Sequence, residues 1–115
     1  KMIITHLLRA FMSSVNGVRL TWKSEIAFRL EILGCILILP FTFWIEAAKG
    51  DKLFVVFSLS IMLISELLNT AIEKANDALK KTNDSLIQFS KDAASAAVFV
   101  SLCLVGISLL NLVFI

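Results

Sequence analysis

Two carboxylates and an amide recur along one stretch of the chain, as Glu66, Asn69 and Glu73. Steps of three and four residues place all three side chains on one face if the stretch is helical. The stretch follows directly on the apolar run 53–65. A carboxylate beside hydrocarbon costs at least about 2.5 kcal/mol, which favours a functional role. Because hard divalent cations prefer oxygen ligands, the pattern predicts a polar, metal-binding site at a membrane surface.

Further charged residues stand at the start of two other apolar stretches. Glu25, Arg29 and Glu31 precede one of them, and Lys91 and Asp92 precede the other. Mg²⁺ suits carboxylates and is usually completed by substrate phosphates, while a lysine binds phosphate as a point charge. A metal, a cation and a carboxylate that accepts a hydroxyl proton are the parts needed for phosphoryl transfer. The four glycines of the chain form neither of the usual glycine-rich nucleotide loops.

The composition predicts a single integral-membrane domain over residues 1–115. Hydrophobic residues make up 58% of the chain, whereas soluble domains have about 45–50% apolar residues. The excess apolar surface needs lipid to cover it. The net charge is only +2, and no long basic run is present, which argues against a nucleic-acid partner.

Hydrophobic periodicity predicts an all-α fold with one surface helix and three transmembrane helices. Apolar residues at steps of three and four make 2–22 an amphipathic helix that lies in the membrane interface. The predicted spans are 26–45, 53–73 and 93–115, and the segment 74–91 between the last two is polar.

Lysine and arginine counts predict the orientation in the membrane. Five lie before residue 32, two between residues 46 and 52, four between residues 74 and 91, and none follow the third span. The positive-inside rule therefore places the N-terminus and the second polar segment in the cytoplasm. Three antiparallel spans then bring the unusual polar residues together at the cytoplasmic face.

Structural interpretations of the same residues stay open at this point. Glu66 and Glu73 could be helix-surface carboxylates paired with Lys74 or Lys91. Lys91 with Asp92 could be a membrane anchor followed by an acid at a helix N-terminus.

Three blocks of the sequence together resemble the prokaryotic diacylglycerol kinase family. They are EIAFRLE at 25–31, ELLNTAIE at 66–73 and KDAASAA at 91–97. The resemblance implies a homotrimer in the bacterial cytoplasmic (inner) membrane, with sites that combine residues of neighbouring subunits. It also implies transfer of the γ-phosphate of ATP, with Mg²⁺, to the hydroxyl of diacylglycerol.

The resemblance also implies roles for individual residues. The catalytic set is Glu66 as general base, Asn69 as a positioning amide, and Lys91. The Mg²⁺ ligands are Glu25 and Glu73. The ATP set is Ser13, Glu25, Glu73, Asp77, Asn83, Asp84, Lys91 and Asp92. The lipid-side set is Arg9, Phe28, Arg29, Glu31, Glu66 and Ser95.

The chain departs from the family pattern in two places. His6 and Ser13 stand where family members often have an arginine and a tyrosine, and the polar segment 82–84 replaces a common Glu-Tyr-His. Two other functions stay open. One is an undecaprenol kinase of the same family, although the block that ends in Glu31 is closer to the diacylglycerol type. The other is a non-catalytic small membrane protein or divalent-ion carrier.

Overall fold

The computed structural model describes residues 2–79 and 85–115, and nearly all of them are helical. Within these ranges the chain forms the helices α1 Met2–Ser24, α2 Ile26–Trp44, α3 Lys49–Leu79 and α4 Ser85–Phe114. The described ranges contain no strand. The predicted all-α fold is confirmed.

Three of these helices, α2, α3 and α4, are long and apolar enough to cross a membrane. At about 1.5 Å per residue, the 19 residues of α2 extend about 28 Å, close to the hydrocarbon thickness of about 30 Å. The 31 residues of α3 extend about 46 Å, so one end of α3 must project beyond the hydrocarbon. In α1 only Thr21 is buried, as expected for a helix on a surface. Three candidate spans and one surface helix match the prediction.

The most extensive contact between two helices is that of α3 with α4. Val55, Leu59 and Met62 of α3 are buried in one cluster with Val105 and Leu112 of α4. The same cluster includes Cys35 of α2. The packed core of the single chain therefore lies mainly along α3 and α4 and is joined by α2.

The end of the bundle where α2 meets α3 is held by side-chain contacts to the turn. Lys52 Nζ donates a hydrogen bond to the Phe43 carbonyl at 3.3 Å, which satisfies an acceptor in the last turn of α2. Asn111 Nδ2 donates to Asp51 Oδ1 at 2.9 Å and so joins the end of α4 to the start of α3. These contacts fix the antiparallel arrangement.

The opposite end, called the polar end from here on, is formed where α1 turns into α2, α3 ends and α4 begins. There the helices continue further than the predicted spans. The helix α3 runs through 74–79, which contains alanine, leucine and lysine and no glycine or proline. The helix α4 begins at Ser85, eight residues before the predicted span at 93. The limits of the membrane-crossing parts stay a prediction.

Candidate active site at the polar end

Glu25 is the single residue that joins α1 to α2. Its backbone is extended, with φ −121° and ψ 111°. The Glu25 N–H donates to the Thr21 carbonyl at 2.9 Å, and the Glu25 carbonyl accepts from the Arg29 N–H at 3.3 Å. Both hydrogen bonds continue the helical pattern on either side of the corner. The helices on both sides hold the backbone of Glu25, and this fixes the position from which its side chain extends.

Glu66 is buried on α3, with 4% of its surface exposed. The Glu31 carboxyl of α2 lies within hydrogen-bonding reach of it, and the charges of Glu25 and Glu73 also act on it. Oε1 of Glu31 is buried without a hydrogen-bond partner among the described residues. Four carboxyl groups, carried by α2, its first corner and α3, thus converge at the polar end.

Glu25 and Glu73 carry the donor chemistry that Mg²⁺ prefers. In residues 2–79 and 85–115, no group of three or more histidine, cysteine, aspartate or glutamate residues is arranged to hold a metal ion alone. Mg²⁺ does not need such a cage, because one or two carboxylates, waters and substrate phosphates usually complete its shell. Both carboxylates lie near enough to Glu66 for their charges to act on it. The residues fit a magnesium ion that is shared with a nucleotide.

A cation already lies against one of these carboxylates. Lys74 Nζ is 3.7 Å from Oε2 of Glu25, the ion pair found in the described part of the chain. One interpretation of the sequence was that Lys74 pairs with Glu66 or Glu73. In the structure Lys74 pairs with Glu25 instead. Lys74 follows Glu73 directly, but one helix step of 100° turns it toward the α1–α2 corner.

Asn69 lies at the edge of the same face of α3, where α3 meets α4. It lines a groove of about 460 Å³ with Ser65 and Ile72 of α3 and Phe89 and Ala94 of α4. Glu66 is turned toward Glu31 of α2. The three residues of the original pattern therefore share a broad face, with different neighbours at its two edges.

A second groove, of about 670 Å³, separates α1 from α3 on the other side. Lys74 and Thr70 line it from α3, and Thr21 and Ser24 line it from α1. The Thr70 hydroxyl is buried and has no hydrogen-bond partner among the described residues. Thr70 carries no group that the sequence pattern marked as functional, although its position four residues after Glu66 places it on the same face of α3.

The lipid-side residues of α2 lie beside the carboxylates. Phe28 is 2% exposed, and Arg29 and Glu31 are half-buried. These side chains thus belong to the polar end, where the Glu31 carboxyl interacts with that of Glu66.

The predicted site residues on α4 do not meet Glu66 in the single chain. Lys91, Asp92 and Ser95 are exposed on α4. Asp92 accepts a hydrogen bond from Gln88 Nε2 at 2.8 Å. Within the described residues, no hydrogen bond or ion pair joins any of the three to Glu66.

The remaining predicted residues lie on exposed surfaces or outside the described ranges. Arg9 and Ser13 are exposed on α1, and Asp77 is exposed near the end of α3. Asn83 and Asp84 lie outside the described residues.

The family with the description "Prokaryotic diacylglycerol kinase" matches residues 12–113, which is most of the chain and includes the whole polar end. The chain belongs to the prokaryotic diacylglycerol kinase family. The three motif blocks indicated this family, and that prediction is confirmed.

Three relatives illustrate how far the likeness to this family extends. A protein of Haemophilus influenzae named "Diacylglycerol kinase" is 37% identical over 105 residues, covering 90% of this chain and 88% of the relative. A protein of the same name from Pseudomonas aeruginosa is 30% identical, covering 91% and 85%. Another from Escherichia coli is 29% identical over 98 residues, covering 85% and 80%.

Proposed function

We propose that this protein transfers the γ-phosphate of ATP to the hydroxyl of diacylglycerol, giving phosphatidic acid. Its family and the names of its relatives support a lipid kinase, and those relatives favour diacylglycerol over undecaprenol. The observation that carries the chemistry is the convergence of Glu25, Glu31, Glu66 and Glu73 at one end of the bundle.

Glu66 is the proposed general base. The lipid hydroxyl oxygen attacks the γ-phosphorus and forms the new O–P bond. The bond from the γ-phosphorus to the bridging oxygen breaks, and ADP leaves with its electron pair. Glu66 takes the hydroxyl proton, a role worth typically about 10²–10⁴-fold in rate. Its burial holds the carboxylate in a fixed position for that transfer.

Glu25 and Glu73 are the proposed ligands of Mg²⁺, which when bound offsets the charge on the phosphoryl group. The backbone corner at Glu25 fixes one ligand, and the long helix α3 fixes the other. The distance between two ligands on separate elements is then set by helix packing. The two ligands therefore need no flexible loop to bring them together.

The reaction requires a site where a lipid and a water-soluble nucleotide can meet. The helix α3 is longer than a bilayer core, so its polar end reaches the membrane surface. The lysine and arginine counts support a cytoplasmic location for this end, in the inner membrane of a bacterium. ATP then arrives from the cytoplasm and the lipid from the bilayer.

We further propose that the protein works as a homotrimer whose sites take residues from neighbouring copies. The exposed positions of Lys91, Asp92 and Ser95 support this, because within one chain no described hydrogen bond or ion pair joins these side chains to Glu66. In the proposed site, Lys91 contacts the β- and γ-phosphates and Asn69 positions the reacting groups. The other proposed ATP contacts are Ser13, Asp77, Asn83, Asp84 and Asp92. The other proposed lipid contacts are Arg9, Phe28, Arg29, Glu31 and Ser95.

The deciding experiment is phosphate transfer from radiolabelled ATP to diacylglycerol and to undecaprenol, in parallel, with purified protein in mixed micelles. We expect labelled phosphatidic acid, and no label when a chelator removes Mg²⁺. Label in undecaprenol alone would keep the site and replace the substrate. No transfer to either lipid by folded protein would favour a non-catalytic membrane protein or an ion carrier.

A further inference from the structure

The ion pair between Lys74 and Glu25 places a side-chain cation on a proposed metal ligand. Nζ of Lys74 lies 3.7 Å from Oε2 of Glu25. The lysine side chain is 58% exposed and that of the glutamate 23%. One partner is therefore held at a corner of the backbone, while the other lies on a flexible stem at the surface.

We infer that Lys74 is an internal cation that competes with the divalent metal for Glu25. This inference rests on the proposed role of Glu25 as a metal ligand. The ammonium group and the metal both seek the same carboxylate oxygens, and like charges at such a distance repel. When the metal binds, Lys74 must leave Oε2 of Glu25, and its four-carbon stem gives it the freedom to do so.

The surroundings of the pair favour a rival cation at this point. The carboxyl groups of Glu25 and Glu73 form a cluster beside buried Glu66, since the charges of both act on it. Without a bound metal, the carboxylates of such a cluster repel one another, and within residues 2–79 and 85–115 Lys74 is the cation that forms an ion pair with one of them. Lys74 thus stabilises the metal-free site, and the same contact lowers the affinity for the metal.

The expected size of the effect follows from the exposure of the pair. Ion pairs this open to solvent contribute little, so Lys74 should weaken metal binding by about two- to fivefold. Salt screens such a pair, so the difference should shrink as ionic strength rises. If Lys74 only held α3 against the α1–α2 corner, removing its charge would not raise the affinity for the metal, and no such salt dependence would be seen.

The test measures Mn²⁺ binding to the full-length protein in detergent micelles, without ATP or lipid, from the loss of the electron paramagnetic resonance signal of free Mn²⁺. The variants are K74M, K74Q, K74R and E25Q. The matched control is K49M, which removes the same charge at the opposite end of the spans. Circular dichroism verifies that each variant stays helical.

We expect K74M and K74Q to bind Mn²⁺ about two- to fivefold more tightly at low salt. K74R and K49M should bind like the unaltered protein, and E25Q should bind more weakly. Equal or weaker binding by both K74M and K74Q, with E25Q still impaired, would overturn the inference and leave the proposed function standing. Binding that E25Q does not change would overturn the metal role of Glu25, and the inference with it.

Discussion

The middle of the α3–α4 contact and the polar end differ in whether their buried polar side chains have hydrogen-bond partners. In the middle, Ser58 Oγ and Ser108 Oγ are 2.8 Å apart and fully buried. Each also lies within reach of a carbonyl in its own helix, Val55 or Val105. The two hydroxyl protons therefore have three possible hydrogen bonds, and no side-chain oxygen described in this part of the contact is buried without a partner.

The polar end instead keeps polar atoms that the chain itself does not satisfy. Oε1 of Glu31 and the Thr70 hydroxyl are buried without hydrogen-bond partners among the described residues. Such groups cost about 1–3 kcal/mol each, so they weaken the fold where they lie. The helix α3 therefore serves packing along its middle, whereas at its polar end it carries the groups of the proposed site.

Replacing Glu66 with glutamine should have the largest effect, on activity and not on folding. The amide keeps the size of the side chain but cannot accept the hydroxyl proton. Phosphate transfer should fall by about 10²–10⁴-fold while helicity is retained. The measurement is radiolabel transfer to diacylglycerol, beside circular dichroism.

Glu46→Gln is the matched control, because Glu46 is exposed just beyond the opposite end of α2. It should transfer phosphate like the unaltered protein. Full activity of the Glu66→Gln variant would show that another group accepts the proton.

Replacing Leu59 with alanine should give the largest loss of stability. Leu59 is 3% exposed in the α3–α4 core, and its truncation leaves a cavity. Since lipid surrounds the unfolded helices too, we expect less than for a soluble protein, about 1–3 kcal/mol. Unfolding of the protein in mixed micelles measures it. Ile61→Ala, at a site 42% exposed, should lower the free energy of unfolding much less. Equal losses in the two variants would show that Leu59 does not lie in a packed core.

The serine pair should show a smaller, coupled contribution. A double-mutant cycle of Ser58→Ala and Ser108→Ala should give a coupling of about 0.6 kcal/mol, and at most about 1.7 kcal/mol. Ser60→Ala serves as the control, because Ser60 is exposed and donates only within its own helix, to the Val56 carbonyl. Additive losses from Ser58→Ala and Ser108→Ala would mean that the two hydroxyls do not interact.

Replacing Thr70 with valine should have the smallest effect on stability, and in the opposite direction. Valine has the same shape without the unpartnered hydroxyl, so the free energy of unfolding should stay equal or rise by about 1 kcal/mol at most. Thr42→Val offers the contrast, because the buried Thr42 hydroxyl donates to the Ile38 carbonyl at 2.8 Å. A Thr70→Val variant that unfolds more easily than the Thr42→Val variant would contradict the division between the two regions.

Much of the fold could be predicted from the sequence because its rules are local. The length of an apolar run sets whether a helix can span, and the recurrence at three and four residues in 2–22 sets an amphipathic helix. The spacing of Glu66, Asn69 and Glu73 placed them on one face of α3, and the antiparallel order of three spans placed Glu25 at the same end. The motif blocks also identified the family.

The neighbours of each site residue were decided by tertiary structure. Spans in a membrane are apolar toward lipid and toward other helices alike, so their composition does not encode how each helix is rotated about its axis. That rotation brings Glu31 to Glu66, turns Asn69 toward α4, and leaves Lys91 exposed. The same rotation allows Lys74 to form an ion pair with Glu25 and not with Glu73, which precedes it in the chain. The order of apolar and polar segments along the chain therefore sets which groups gather at one end of the bundle, whereas packing between separate helices sets which of them touch.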